Sequence, residues 1–183
     1  MTLVKTSDFG VEGINYYFVR REMYNLSLEE LRYAGVNDQF AYVEQSIIQP
    51  LVEAQDQLIK KGFKIIVKDS HRSKALYNLI YIKRVAKFGK EETDKTLNVV
   101  NMPHASGRSV DVNLLSLENG KELDLRDKQD GTQAFFVDYY ELNTSHPKAS
   151  EFNILQKVLA EAMLQAGFKF GSKKEFWHFE YDS

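Results

Sequence analysis

HASGRSVD, residues 104–111, holds a histidine, a glycine and an aspartate at fixed spacing, and EFWHF, residues 175–179, sets a glutamate three places before a second histidine. The chain has only four histidines, so two of them beside carboxylates raise the question of a shared metal site. In the first stretch Ser106-Gly107 permits a tight turn. From Ser109 to Leu117 the residues then read as a strand, with an Asn119-Gly120 hairpin signal and a partner around Lys121 to Leu125. His104 can therefore fold back beside Asp111 projecting from that strand. An aspartate on a strand rich in valine and leucine is costly unless it is paired, coordinated or turned to solvent.

Upstream, FKIIVKD (63–69) reads as a buried strand. Ser27 to Glu30 fits a capping box that opens a short helix ending near Gly35. Val43, Ile47, Ile48, Leu51, Val52 and Leu58 recur at helical spacing up to the Lys60-Lys61-Gly62 stop, with Pro50 expected to kink or delay that helix. Ser73 to Phe88 returns to helical spacing and stops at Gly89. Ser150 is expected to cap a helix carrying Ile154, Leu155, Val158, Leu159, Met163 and Leu164. Phe168–Phe170 and Phe176–Tyr181 then form a terminal hairpin. Arg126 to Pro147, polar and then aromatic, reads as a long functional loop. The fold class is α+β, with helices packed on a small, mainly antiparallel sheet that carries the site.

A chain of 183 residues, 43% hydrophobic and 13% aromatic, supports one sizeable core, and without repeats or linkers it reads as a single domain, 1–183. A net charge of −2 gives no electrostatic footprint for phosphate backbones or anionic lipid, so neither nucleic acid nor membrane is an expected partner. The absence of cysteine removes disulfides, thiolate zinc sites and a cysteine nucleophile, so any metal is held by nitrogen and oxygen. MTLVKTSDFGVEG lacks the apolar run of a secretory signal, and no run of about 18 apolar residues occurs, so the expected location is cytoplasmic. Oligomeric state has no signal in the sequence.

A catalytic zinc takes three protein ligands and keeps a position for water. His104, Asp111 and His178 make such a set, and Glu175 is placed to act as a base without binding the metal. Read singly, His104 is a solvated loop histidine, Glu175 part of a charged turn with Lys173 and Lys174, and Trp177 a core residue.

Together, HASGRSVD and EFWHF resemble the signature of the D-alanyl-D-alanine dipeptidases, within the zinc D,D-peptidases written H-x-x-G-x-x-x-D and E-x-W-H. The resemblance implies one zinc per chain on His104, Asp111 and His178, with Glu175 as the general base. IIVKDSHRS (65–73) is similar to the family's strand and Asp-Gly-Tyr-Arg-Pro turn, which places Arg72 as the residue that contacts the substrate carbonyl. By its own chemistry a guanidinium suits a developing oxyanion, and the competing reading of Arg72 is a surface ion pair with Asp69. NILQKVLAEAMLQAGF (153–168) resembles the helix set before the family's Glu-Trp-Trp-His stretch, and the likeness runs from near residue 50 to the C-terminus.

Three departures touch substrate choice. Met102-Pro103-His104 replaces the family's Ser-x-His, and His71 stands where it has an aromatic. The family's amine-binding aspartate has no direct counterpart in Asp130–Phe136, so Asp138 is the nearest candidate. His146 is assigned no role and is expected to face solvent. The expected activity is zinc-dependent hydrolysis of D-Ala-D-Ala or a related short D-amino-acid-containing dipeptide. A D,D- or L,D-carboxypeptidase or an endopeptidase acting on peptidoglycan stem peptides is the nearest alternative. A non-catalytic zinc-containing binding module is the alternative from another class, and a retained Glu175 argues against it, because a structural site needs no base.

Overall fold

The computed structural model describes residues 1–182, and its N-terminal part supplies one edge strand of the main sheet and a separate strand pair. β1 (Leu3–Lys5) and β2 (Glu12–Gly13) precede the short helices α1 (Tyr16–Val19) and α2 (Leu28–Tyr33). β3 (Tyr42–Glu44) then pairs antiparallel with β1, outside the main sheet. α2 begins with the expected reciprocal cap. Ser27 Oγ accepts from Glu30 N–H at 3.1 Å, and Glu30 Oε2 accepts from Ser27 N–H at 2.8 Å.

α3 (Ile48–Ile59) leads into β4 (Phe63–Asp69), which is followed by α4 (Lys74–Phe88) and α5 (Lys90–Thr96). Pro50 does not kink α3. The helix starts only at Ile48, so Pro50 sits in the first turn, where a backbone N–H has no intrahelical partner to lose. Val43 lies on β3 instead, and Ile47 in a 3-10 turn.

β5 (Ser109–Ser116) follows, then α6 (Tyr139–Leu142), α7 (Ala149–Gln165), β6 (Lys169–Phe170) and β7 (His178–Glu180). Ser150 falls within the first turn of α7, whose cap position is Lys148. After Gly120 the chain pairs with β5 only briefly, through Ser116 N–H to Lys121 C=O and Leu123 N–H to Leu114 C=O, both 2.9 Å, rather than as a continuous strand. The terminal hairpin forms as expected, with Lys169 opposite Glu180 and Phe170 opposite Phe179.

The main sheet runs β2-β4-β5-β7-β6, antiparallel except for the short β2–β4 pair. Alternation gives it two unlike faces. Ile65, Val67, Val110, Val112, Leu114 and Phe179 point into a core completed by Leu51, Ala54 and Leu58 of α3 and Leu159 and Met163 of α7. A second cluster packs Leu76, Tyr77 and Ile80 of α4 on Tyr17, Tyr24 and Leu31. Among the described residues no helix is long and apolar enough to cross a membrane.

One irregularity decides what the other face carries. Val67 pairs with Val112, but the next pair is Asp69 with Asp111, so β4 spends two steps where β5 spends one. Such a bulge turns the following side chain to the opposite face. Asp69 thereby leaves the core side and lies beside Asp111, and Asp111 is itself opposite His178 on β7. Directly opposed residues share a face, so Asp69, Asp111 and His178 form one row across three strands.

Candidate metal centre

The row supplies two of the three expected metal ligands, and a turn supplies the third. Pro103–Ser106 form a 3-10 turn between Met102 at φ +45° and Gly107 at φ +72°. His104 N–H donates to Tyr77 Oη at 3.0 Å, and its carbonyl accepts from Arg72 N–H at 3.1 Å. Ser109 Oγ donates to Pro103 C=O at 2.8 Å and closes the turn. A side chain at Gly107 would be strained in φ, and its β-carbon would lie 3.0 Å from Glu44 N and 3.1 Å from Leu3 Cδ2. Gly107→Ala should therefore cost at least about 1–2 kcal/mol, the usual penalty for an L residue in the left-handed region. Denaturant unfolding of the metal-free protein measures this, and an unchanged midpoint would show that the turn relaxes freely.

His178 Nδ1 lies 2.7 Å and His104 Nε2 3.5 Å from Asp111 Oδ1, and one donor atom from each residue falls within 4.8 Å of the others. Both histidines are buried, and Asp111 is nearly so. His104 Nδ1 is buried without a hydrogen-bond partner, which leaves the Nε2 edge facing Asp111 as the ring's polar contact. A buried imidazole so placed is costly unless that edge makes a strong bond. Two imidazoles and one carboxylate are the donor set of a nitrogen–oxygen zinc site, so the residues fit one such ion.

The electrostatics agree. Burial works against the charge on Asp111, yet the two imidazoles hold its carboxyl well below the usual carboxylate range. Burial opposes a charged His178 as well, but Asp111, with help from Glu175 and Glu180, pushes it up to about 9. A proton is thus held where these donors converge, and a dication in the same place would displace it.

Arg72 is buried, with Nη2 2.9 Å and Nε 3.1 Å from Asp69 Oδ2, and with Nη2 3.9 Å from Asp111 Oδ2. Its guanidinium carbon lies 5.4 Å and 5.1 Å from the ring centres of Tyr17 and Tyr77. Burial disfavours its charge, but Asp69 foremost, then the two tyrosines and Asp111, hold it above its ordinary value. The ion pair with Asp69 is therefore real, and it is not a surface pair. It braces the guanidinium at the rim of the cluster.

Glu175 is half-buried in the loop that enters β7, and its carbonyl accepts from His178 N–H at 3.2 Å. Burial, and next the charge of Asp111, push its carboxyl above the ordinary glutamate value, while His178, His104 and Arg72 pull the other way. The 3-10 turn Gln133–Phe135 and the residues after it run alongside this loop. Phe176 N–H donates to Phe135 C=O at 2.9 Å, Val137 N–H to Lys173 C=O at 3.1 Å, and Phe135 meets Trp177 edge to face at 4.8 Å.

Other residues singled out in the sequence lie elsewhere. Asp138 is exposed at the start of α6. His71 lines a separate cavity of about 300 Å³ with Asn15, Asp38 and Tyr42. His146 does not simply face solvent. Nε2 is 3.4 Å from Asp127 Oδ2 and 3.7 Å from Asp130 Oδ2, and its ring lies against Tyr140 and Phe152. Tyr17 and Tyr77 were not foreseen as site residues, and Asp69 only as a surface partner of Arg72. A tyrosine among Leu76 and Ile80 on an apolar helix face was a usable signal, because a buried phenol needs a hydrogen-bond partner.

No protein-family model matches the chain, and a search of curated proteins finds no match either. Solved structures do share its fold. The LD-carboxypeptidase LdcB, whose structure is described as revealing the molecular basis of peptidoglycan recognition, aligns with a TM-score of 0.50 and 16% identity over 76% of this chain and 59% of its own. The vancomycin-resistance D,D-pentapeptidase VanY from the VanB-type cassette, solved in complex with Zn(II), aligns with a TM-score of 0.51 and 17% identity over 77% of this chain and 73% of its own. The chain thus spans about three-fifths of the length of LdcB. At these identities the likeness is one of fold, and it agrees with the fold implied by the motif resemblance.

Proposed function

We propose that residues 1–183 form a single catalytic domain, a zinc peptidase that hydrolyses a short D-amino-acid-containing peptide of the kind found in bacterial cell walls. The observation that carries this reading is the convergence of His104, Asp111 and His178 within 4.8 Å, with Arg72 at the rim. Zinc held there would supply a Lewis acid and lower the pKa of water. Glu175 takes the proton from the attacking water and returns it to the leaving amine, a task suited to a half-buried carboxyl close enough for Asp111, His178 and His104 all to act on it. Arg72, held by Asp69 and the two tyrosine rings, directs its fixed charge at the oxygen that becomes negative.

Two substrate readings divide this proposal. The motif resemblance favours a free D-Ala-D-Ala dipeptide, with Asp138 as the partner of its amine. The exposure of Asp138, together with two fold neighbours named as a carboxypeptidase and a pentapeptidase, favours a longer stem peptide. Hydrolysis of free D-Ala-D-Ala, its N-acetylated form and a pentapeptide stem, each with and without added zinc, tests both. Preference for the free dipeptide selects the dipeptidase, and preference for the acylated or longer substrates selects the carboxypeptidase. No zinc-dependent turnover on any of them would leave a binding module.

Arg72→Lys tests the oxyanion role. A lysine could still pair with Asp69, but one compact ammonium cannot hold that carboxylate and also present a fork to the substrate. Turnover should fall by about a hundredfold, the usual effect of removing one oxyanion donor. Wild-type turnover would reduce Arg72 to a buried structural pair.

A further inference from the structure

His178 and Glu180 alternate onto the same face of β7. His178 Nδ1 points to Asp111 at 2.7 Å, while Nε2 lies 3.4 Å from Glu180 Oε1. The imidazole therefore has an acceptor at each nitrogen. A neutral ring carries one proton, so a ring that gives its Nδ1 lone pair to a metal keeps the hydrogen on Nε2, facing Glu180. The hairpin is shaped to this arrangement. Gly171 N–H donates to His178 C=O at 3.1 Å, and a β-carbon on Gly171 would overlap the His178 ring and lie 2.9 Å from Glu180 Cγ. With glycine there, the ring and the glutamate stem fill the space against the backbone.

The geometry points to Glu180 as the positioning residue of the metal centre, which accepts the Nε2 proton of His178 and so presents Nδ1 beside Asp111. This rests on the zinc reading above. Outer-shell acceptors of this kind fix the tautomer and ring angle of a ligand histidine and are worth about 10–100-fold in metal affinity. Glu180 is not one of the converging donors and acts through His178, so its effect is read on the metal.

Two substitutions separate orientation from charge. Glu180→Gln keeps the reach and an acceptor oxygen but loses the charge, whereas Glu180→Asp keeps the charge but draws the acceptor back by one methylene. Zinc affinity of the full chain, measured by competition with a chromophoric chelator, should stay near wild type in Glu180→Gln and fall about tenfold or more in Glu180→Asp. The side chain lies at 30% exposure, and the unfolding midpoint of the metal-free protein should shift only slightly in either variant, since Glu180 contributes least among the groups that hold the proton on His178. Equal affinity in Glu180→Asp and wild type, or a loss in Glu180→Gln as large as in Glu180→Asp, would overturn the assignment while leaving the zinc reading intact. A wild-type protein that binds no zinc would remove both.

Discussion

Glu175→Gln is expected to keep the full zinc content of the wild type while losing roughly two to four orders of magnitude in turnover, the range supplied by general acid–base catalysis. Glu175 is not one of the converging donors, yet Asp111 and both histidines act on its carboxyl through space. In the metal-free protein, burial and the charge of Asp111 raise that carboxyl, and a dication held by the neighbouring donors would pull it back down. A general base acts only when ionised, so if Glu175 has that role the activity should fall on the acid side of the pH profile as it protonates, and Glu175→Gln should lose that limb. Elemental analysis beside steady-state kinetics decides the matter. Zinc loss in Glu175→Gln would recast the residue as a ligand, and retained turnover would move the base elsewhere.

His178→Ala and Asp111→Ala should each purify without stoichiometric zinc and without measurable turnover. Losing one of three ligands must cost more than the ~10–100-fold typical of losing an outer-shell partner. Asp111 is the hub, because both imidazoles approach the same Oδ1. In the metal-free wild type its pairing with His178 stabilises fully below the ordinary histidine value of 6.5, and that contribution declines as pH rises through about 9. Zinc competes with that proton, so apparent zinc affinity should climb over the same interval. Full occupancy in His178→Ala would dissolve the centre as drawn.

The parts of this architecture that were legible in the sequence are those governed by local rules. The capping box at Ser27, the β4 run, the α4 stop at Gly89 and the terminal hairpin each follow from residues adjacent in the chain. The candidate ligands were legible because the chain is poor in histidine and carries two beside carboxylates. What escaped was long-range. The bulge that turns Asp69 outward is set by pairing with β5, about forty residues away in sequence. Tyr17, against Arg72, comes from a segment with no distinguishing pattern of its own. Pro50 misled because its effect depends on where the helix starts, and that is the least sharply written feature of a helix. The role given to solvent at His146 failed because Asp127, Asp130, Tyr140 and Phe152 meet it only once the loop has folded.

The single row across β4, β5 and β7 also makes the centre a parity check on strand pairing. Side chains alternate with a period of two, so sliding β7 by one residue against β5 would bury His178 in the core and bring Phe179 out beside Asp111. No intermediate register preserves the three donors. A molecule whose C-terminal hairpin has docked one step out is therefore unable to take up metal, however native its helices. In a refolded preparation, the ratio of bound zinc to protein would count the chains whose sheet has closed in register.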